Sequence, residues 1–235
     1  MRRLLVLLSV LLLALAAPAV AASAHGEAPA VAHGAAPTVA QGPSADQLLA
    51  RLGTGCDQIS NGKFATDDGA PATVPVCQTG GAAFYSADMD IDCDGKRTAQ
   101  CNENTDCCFY PDTAYHSSTD EPLDAANLPY VVLPSPSSRW DFTQYGIDGS
   151  SVVAVIYNGQ VEYAVVGDTG PEQIIGESSY ATAASLGIDP DPSTGGTAGP
   201  VTYLVFPNSQ VNPIESQGAA VTLGEQRTQA FVDGG

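Results

Sequence analysis

Two carboxylates near the middle of the chain have the type and spacing for acid–base chemistry. Asp168 lies in Gly167-Asp168-Thr169-Gly170-Pro171, and Glu177 follows nine residues later in Ile174-Ile175-Gly176-Glu177-Ser178. The two isoleucines beside Glu177 desolvate it, which raises a carboxyl pKa and favours a proton donor. Asp168 sits in a polar turn whose donors keep it ionised. One acid and one base is what glycoside hydrolysis requires. On spacing alone, a turn-capping Asp and a solvated helix-start Glu are the favoured reading.

A second acidic run is Asp88-Met89-Asp90-Ile91-Asp92-Cys93-Asp94-Gly95. As a strand it alternates, with Asp88, Asp90, Asp92 and Asp94 on one face and Met89, Ile91 and Cys93 on the other. Such a ladder suits a substrate with repeated cationic groups, or is simply a solvated face. Asp90-x-Asp92-x-Asp94-Gly95 also opens like a calcium loop, but position twelve, where a bidentate Glu belongs, is Cys101. No metal and no cofactor is expected. Other chemistries lack their parts. His25, His33 and His116 are the three histidines, and the first two fall in a segment that buries nothing. A Ser-His-Asp or Cys-His system would depend on His116 alone. Trp140, the single tryptophan, is either a core residue or a sugar platform, and Tyr130 reads as core.

The elements that position these groups are mostly strands. Residues 151–157 and 160–166 flank Asn158-Gly159, a two-residue type I′ signal, and read as a hairpin. Residues 201–206 read as another strand, with short ones at 219–223 and 230–232. A short helix is expected over 178–186 before Gly187, and an amphipathic one over 45–52 before Gly53. Short strands with Gly and Pro turns point to a mainly β domain, a barrel or sandwich with few short helices.

Cys56, Cys77, Cys93, Cys101, Cys107 and Cys108 lie within about fifty residues. An even number in an exported chain implies three disulfides stapling the front half, without a strained Cys107–Cys108 bridge, and the connectivity stays open. Export is read from the start of the chain. Arg2 and Arg3 precede an apolar run over 4–17 and an Ala22-Ser23-Ala24 cleavage signal, so residues 1–24 are expected to be a secretory signal peptide. Residues 25–44 read as an Ala/Pro-rich flexible leader, and 45–235 as one catalytic domain.

The charge balance narrows the partners. There are 26 acidic against 8 basic residues, a formal charge of −18, and removing Arg2 and Arg3 takes it further negative. Nucleic acid and anionic membranes are excluded as partners for want of a basic patch. A polycation fits the sign.

Taken together, DMDIDCDG (88–95), LDAANLPYVVLP (123–134) and VVAVIYNGQVEYAVVGDTGPEQIIGESS (152–179) resemble the fungal-type chitosanases of glycoside hydrolase family 75. The resemblance implies that Asp168 and Glu177 are the catalytic pair, that hydrolysis inverts the anomeric centre, and that the core is a single β-barrel related to double-psi barrels. It also implies chitosan as the partner. With the pKa argument above, Glu177 is expected as the acid and Asp168 as the base, with Asp88, Asp90, Asp92, Asp94 and Trp140 contacting substrate. A secreted, extracellular, endo-acting monomer is the expectation. The rival is a non-catalytic cell-wall or chitosan-binding protein on a related barrel. Neither the leader nor the acidic 189–191 loop receives a role.

Overall fold

A computed structural model describes residues 42–234. The expected signal peptide, with nearly all of the expected leader and with His25 and His33, lies outside the described residues. In chain order the elements are α1 (Ala45–Leu52), β1 (Asp57–Gln58), β2 (Cys77–Thr79), β3 (Ala82–Asp92), β4 (Tyr130–Pro134), β5 (Ser151–Tyr157), β6 (Gln160–Gly170), β7 (Glu177–Ser179), α2 (Tyr180–Ser185), β8 (Thr197–Gln210) and α3 (Gln217–Asp233). The sheet order is β1-β2-β3-β7-β4-β6-β5-β8, and a further β3–β8 pairing closes the last six strands into a barrel. Closure leaves these strands no free edge. The mainly β, single-barrel expectation holds.

Strand alternation fixes two layers. Inward residues from β3 (Ala83, Tyr85, Ala87, Met89), β4 (Val131, Leu133), β5 (Val153, Val155), β6 (Ala164, Val166) and β8 (Val201, Tyr203, Val205) fill the barrel. Tyr85 and Tyr203 stack there at 4.6 Å. A second apolar layer, outside the barrel, joins Val152, Ala154, Ile156, Tyr163, Val165, Leu204 and Phe206 to Leu48 and Leu52 of α1 and to Ala220 and Phe231 of α3. The β5–β6 hairpin has the expected turn, with Asn158 and Gly159 at φ 47° and 79°, as type I′ requires. Ser44 caps α1 in a capping box with Gln47.

Three expectations are corrected. Residues 219–223 and 230–232 are helical, within α3, not strands. Ala220, Gly224, Thr228 and Phe231 make its buried stripe, a helical period hidden by small residues. Gly224 sits mid-helix despite its poor propensity because a Cβ there would run into the Tyr163 ring. Glu177 stands in β7, so the expected helix begins only at Tyr180. There are two disulfides, Cys56–Cys77 and Cys93–Cys101, and not three. Cys107 and Cys108 are free and exposed, because the two bridges use every other cysteine and leave each of them only its chain neighbour. No described helix is long and apolar enough to cross a membrane.

Candidate active site

Strand register brings the two carboxylates into one row. On β7, Glu177 stands opposite Asp90 of parallel β3 and opposite Val132 of antiparallel β4. Val132 is in turn opposite Asp168 of parallel β6. Directly opposed residues share a sheet face, so Asp90, Glu177, Val132 and Asp168 run across four neighbouring strands. Strands lie about 4.8 Å apart, which separates the backbones of Asp168 and Glu177 by roughly 10 Å.

A bulge makes this row possible. Along β6, Ala164 and Val166 point into the barrel, and strict alternation would send Asp168 inward as well. The register instead steps from Val131↔Val166 to Val132↔Asp168. Gly167 is the extra residue, and Asp168 is turned to the outer face that Val132 occupies. Bulges beside active sites commonly re-aim a side chain in this way. Gly167 is needed there for space, since a Cβ would come within 2.6 Å of the Tyr130 Cβ.

The two carboxylates occupy different environments. Asp168 is 8% exposed, and its Oδ1 accepts hydrogen bonds from the backbone N–H groups of Ala114 and Thr169, both at 2.7 Å. Burial raises its pKa and these two donors oppose the rise. Glu177 is half-buried. Burial pushes it up to about 7, and the negative charges of Asp90, Asp94, Asp168 and Asp106 add to the rise.

The acidic run is a strand only as far as Asp92, and its members are not equivalent. Asp90 is exposed and Asp88 half-buried. Asp88 is pushed up to about 7 by burial and then by Asp90 and Asp67. Asp92 is 5% exposed, and its Oδ1 accepts from the Asp94 N–H at 2.6 Å. Burial, followed by Glu177, holds it well above the usual carboxylate range. Asp92 is thus the most buried of the four acids, yet it lines the same cavity as Asp90, Asp94 and Glu177. Asp94 lies past the strand end, accepts from the Tyr110 N–H at 2.7 Å and is pushed up to about 6, chiefly by burial.

A cavity of about 340 Å³ is lined by Asp90, Asp92, Asp94, Glu177, Asp106 and, from the 189–196 loop, Asp191. Asp168 flanks it two strands away. A larger cavity of about 650 Å³ lies along the 171–174 segment that joins Asp168 to Glu177, bordered by Lys63, Asp67, Arg139 and Glu172. The calcium-loop triplet is not assembled. The described acids and thiols close enough to share a cation are Asp67 with Asp88 and Asp90, and Asp106 with Cys107 and Cys108.

Trp140 is corrected. It is 2% exposed and packs edge-on to Phe142 at 5.8 Å, inside the barrel core, so it offers no platform to a sugar. The exposed aromatic beside the cavity is Tyr110, 61% exposed, which sequence reasoning passed over. Its signal was its place next to the Cys107-Cys108 pair. Asp106 and Asp191 were likewise missed, since only the fold brings their loops to Glu177. His116 is no free base. Its Nε2 meets Asp112 at 2.7 Å and its Nδ1 meets Asp120 at 3.0 Å, in the loop that supplies the Ala114 donor to Asp168.

The family model described as fungal chitosanase of glycosyl hydrolase group 75 matches residues 89–233, which include Asp90, Asp168 and Glu177. Endo-chitosanase C of Aspergillus oryzae is 35% identical over 131 residues, 54% of this chain and 32% of its own length. An endo-chitosanase of Aspergillus oryzae is 30% identical over 141 residues, 55% of this chain and 58% of its own. The chain thus spans less than two thirds of the curated relatives it matches. Among solved structures, a Streptomyces papain inhibitor aligns over 57% of this chain and 99% of its own, with a TM-score of 0.33 and 20% identity.

Proposed function

The chain belongs to the fungal chitosanases of glycosyl hydrolase group 75, and we propose that it cleaves β-1,4 linkages between glucosamine residues of chitosan. In this reading it is an exported, endo-acting, monomeric enzyme that inverts the anomeric centre. The observation that carries the reading is the row in which Asp168 and Glu177 flank Val132. An inverting pair needs its carboxyl groups roughly 6.5–9.5 Å apart to admit a water. Backbones two strand spacings apart, with side chains on one face, are compatible with that window.

Glu177 is the general acid. Its pKa of about 7 leaves it protonated in mildly acidic solution, where it can donate to the glycosidic oxygen as the C1–O bond breaks. Asp168 is the general base. The Ala114 and Thr169 N–H groups stabilise its ionised form and hold it while it takes a proton from the water that attacks C1 from the opposite face. The cycle ends with Glu177 ionised and Asp168 protonated, and solvent exchange resets both. Positive charge developing at C1 meets the field of Asp90, Asp94 and Asp106, which favours the transition state. The same carboxylates attract the ammonium groups of chitosan, an attraction that weakens with salt.

Incubation with soluble chitosan tests the reading. Falling viscosity, released oligomers and a first product of α configuration are expected. A first product of β configuration refutes inversion. Retention on chitosan without products refutes the enzyme and leaves a binder. Parallel incubations with chitin and carboxymethyl cellulose, expected to be inert, test the need for free amines.

A further inference from the structure

Cys107 and Cys108 take no part in the proposed hydrolysis, yet they line the same cavity as Glu177 and Asp94. Both are exposed and unbridged, and their sulphur atoms lie 2.9 Å apart, against roughly 2.05 Å for a disulfide. The turn that holds them is tied to the site at both ends. On one side the Cys108 N–H donates to Asp106 Oδ1 at 2.8 Å, and two residues on, the Tyr110 N–H donates to Asp94 Oδ1 at 2.7 Å. On the other, Ser193 Oγ of the 189–196 loop donates to the Thr105 carbonyl at 2.8 Å.

We propose that Cys107 and Cys108 are a redox-active pair in the wall of the catalytic cavity, closed to a vicinal disulfide by small-molecule disulfides and reopened by small thiols, and that the two states differ in chitosan cleavage. In closing, one cysteine thiolate attacks the external disulfide, forming a mixed disulfide and releasing one small thiolate. The neighbouring cysteine thiolate then attacks its partner's sulphur and releases the second. Two electrons pass from the cysteines to the external disulfide, and the two cysteine protons end on the released thiols. Thiolate is the attacking species. The Cys108 thiol is held up by Cys107, with Asp106 and Asp94 adding to the effect, so closure quickens as pH rises. Ring closure fixes the backbone between residues 107 and 108, and the donor that Tyr110 presents to Asp94 moves with it. Asp94 in turn acts on Glu177, which links the sulphur state to the acid.

The full chain is equilibrated with oxidised or reduced glutathione, then assayed for free thiols, intact mass and kcat/KM on chitosan. Expected are loss of both thiols and of two hydrogens without a glutathione adduct, full recovery on reduction, and a severalfold difference in kcat/KM between the states. A Cys107→Ser/Cys108→Ser variant, which keeps both other bridges, should lose the response. Persistent thiols or glutathione adducts overturn the pair. An unchanged response in the double variant moves it to Cys56–Cys77 or Cys93–Cys101 and overturns the assignment. Equal kcat/KM in both states overturns the link to cleavage. That link rests on the chitosanase reading. A chain that closes the pair but cleaves no chitosan in either state refutes that reading and the link together, while the disulfide stands.

Discussion

On the β5, β6 and β8 side of the barrel, the outward residues Val152, Ala154, Ile156, Tyr163 and Leu204 are packed under α1 and α3. On the β3 and β7 side, outward positions carry Asp88, Asp90, Asp92 and Glu177. Both sides use the same strand alternation, and the difference lies in what covers the outer face. Under the helices, Tyr163 shares a 2.9 Å hydrogen bond with Thr228, and Arg51 Nε donates to the Phe231 carbonyl at 3.0 Å. On the acidic side, burial raises the pKa of Asp88, Asp90, Asp92 and Glu177 alike. The first side holds the fold. The second gives up stability to keep carboxyl groups crowded and partly protonated, a familiar trade at sites built for catalysis.

Substitution at the acidic row should break the comparison most visibly. Asp168→Asn and Glu177→Gln are each expected to lower kcat on chitosan by about 10²–10⁴-fold, the usual range for a general acid or base. Glu177→Gln should leave the melting temperature unchanged or raised near neutral pH, because it removes a charge the site disfavours. Near-normal turnover in both variants would remove the site assignment. The helix-covered side should behave in the opposite way. Phe231 is buried and meets Phe206 edge-on at 6.2 Å. Phe231→Ala should cost about 3–5 kcal/mol of stability, read by denaturant unfolding, with kcat per folded molecule unchanged.

Much of this division was legible in the chain. The Asn158-Gly159 turn marked the hairpin, and the alternation through Asp90 marked β3, because both signals are local. The carboxylate pair was legible as residue types, but its alignment was not. The Gly167 bulge and the parallel pairing of β4 with β6 depend on contacts far apart in sequence, and nothing near Asp168 announces them. The α3 helix was obscured because Gly224 reads as a breaker until the Tyr163 ring is found against it. Cysteine parity suggested three bridges, whereas the fold gathers only two pairs and leaves the adjacent thiols to each other. Trp140 sits among polar neighbours in sequence, and its burial comes from barrel closure.

pH sharpens the comparison with a smaller effect. The proposed mechanism requires Glu177 protonated, so kcat/KM should fall as pH rises through about 7. The same mechanism requires Asp168 ionised, so activity should also fall at acidic pH, as Asp168 protonates above its ordinary 3.8. Stability carries its own sign. A carboxyl whose pKa is higher folded than unfolded binds more protons in the folded state, so stability drops as pH rises between the two values. For Asp88 that window runs from 3.8 to about 7. Asp88→Asn should therefore raise the melting temperature at pH 7.5 and leave it little changed near pH 4. An equal shift at both values would mean that the carboxylate's charge is not the cause.

The smallest expected effect lies at His116, where the acidic side has a cationic support. Hydrogen bonds to Asp120 and Asp112 raise the imidazole pKa above 6.5, so the protonated ring joins two points of the loop that presents the Ala114 N–H to Asp168. This is a raised group, and the support is complete below 6.5 and lost as pH rises through the raised value. His116→Gln should then make Asp168 easier to protonate. The acidic limb of the kcat/KM profile moves to higher pH, while the alkaline limb, set by Glu177, stays in place. The ring is solvent-exposed, so the shift should be modest, with little change in melting temperature. A uniform drop in rate at every pH, with both limbs fixed, would show that the loop positions substrate and does not tune the base. Movement of the alkaline limb instead would place His116 in contact with the acid side of the row, contrary to the geometry around Ala114.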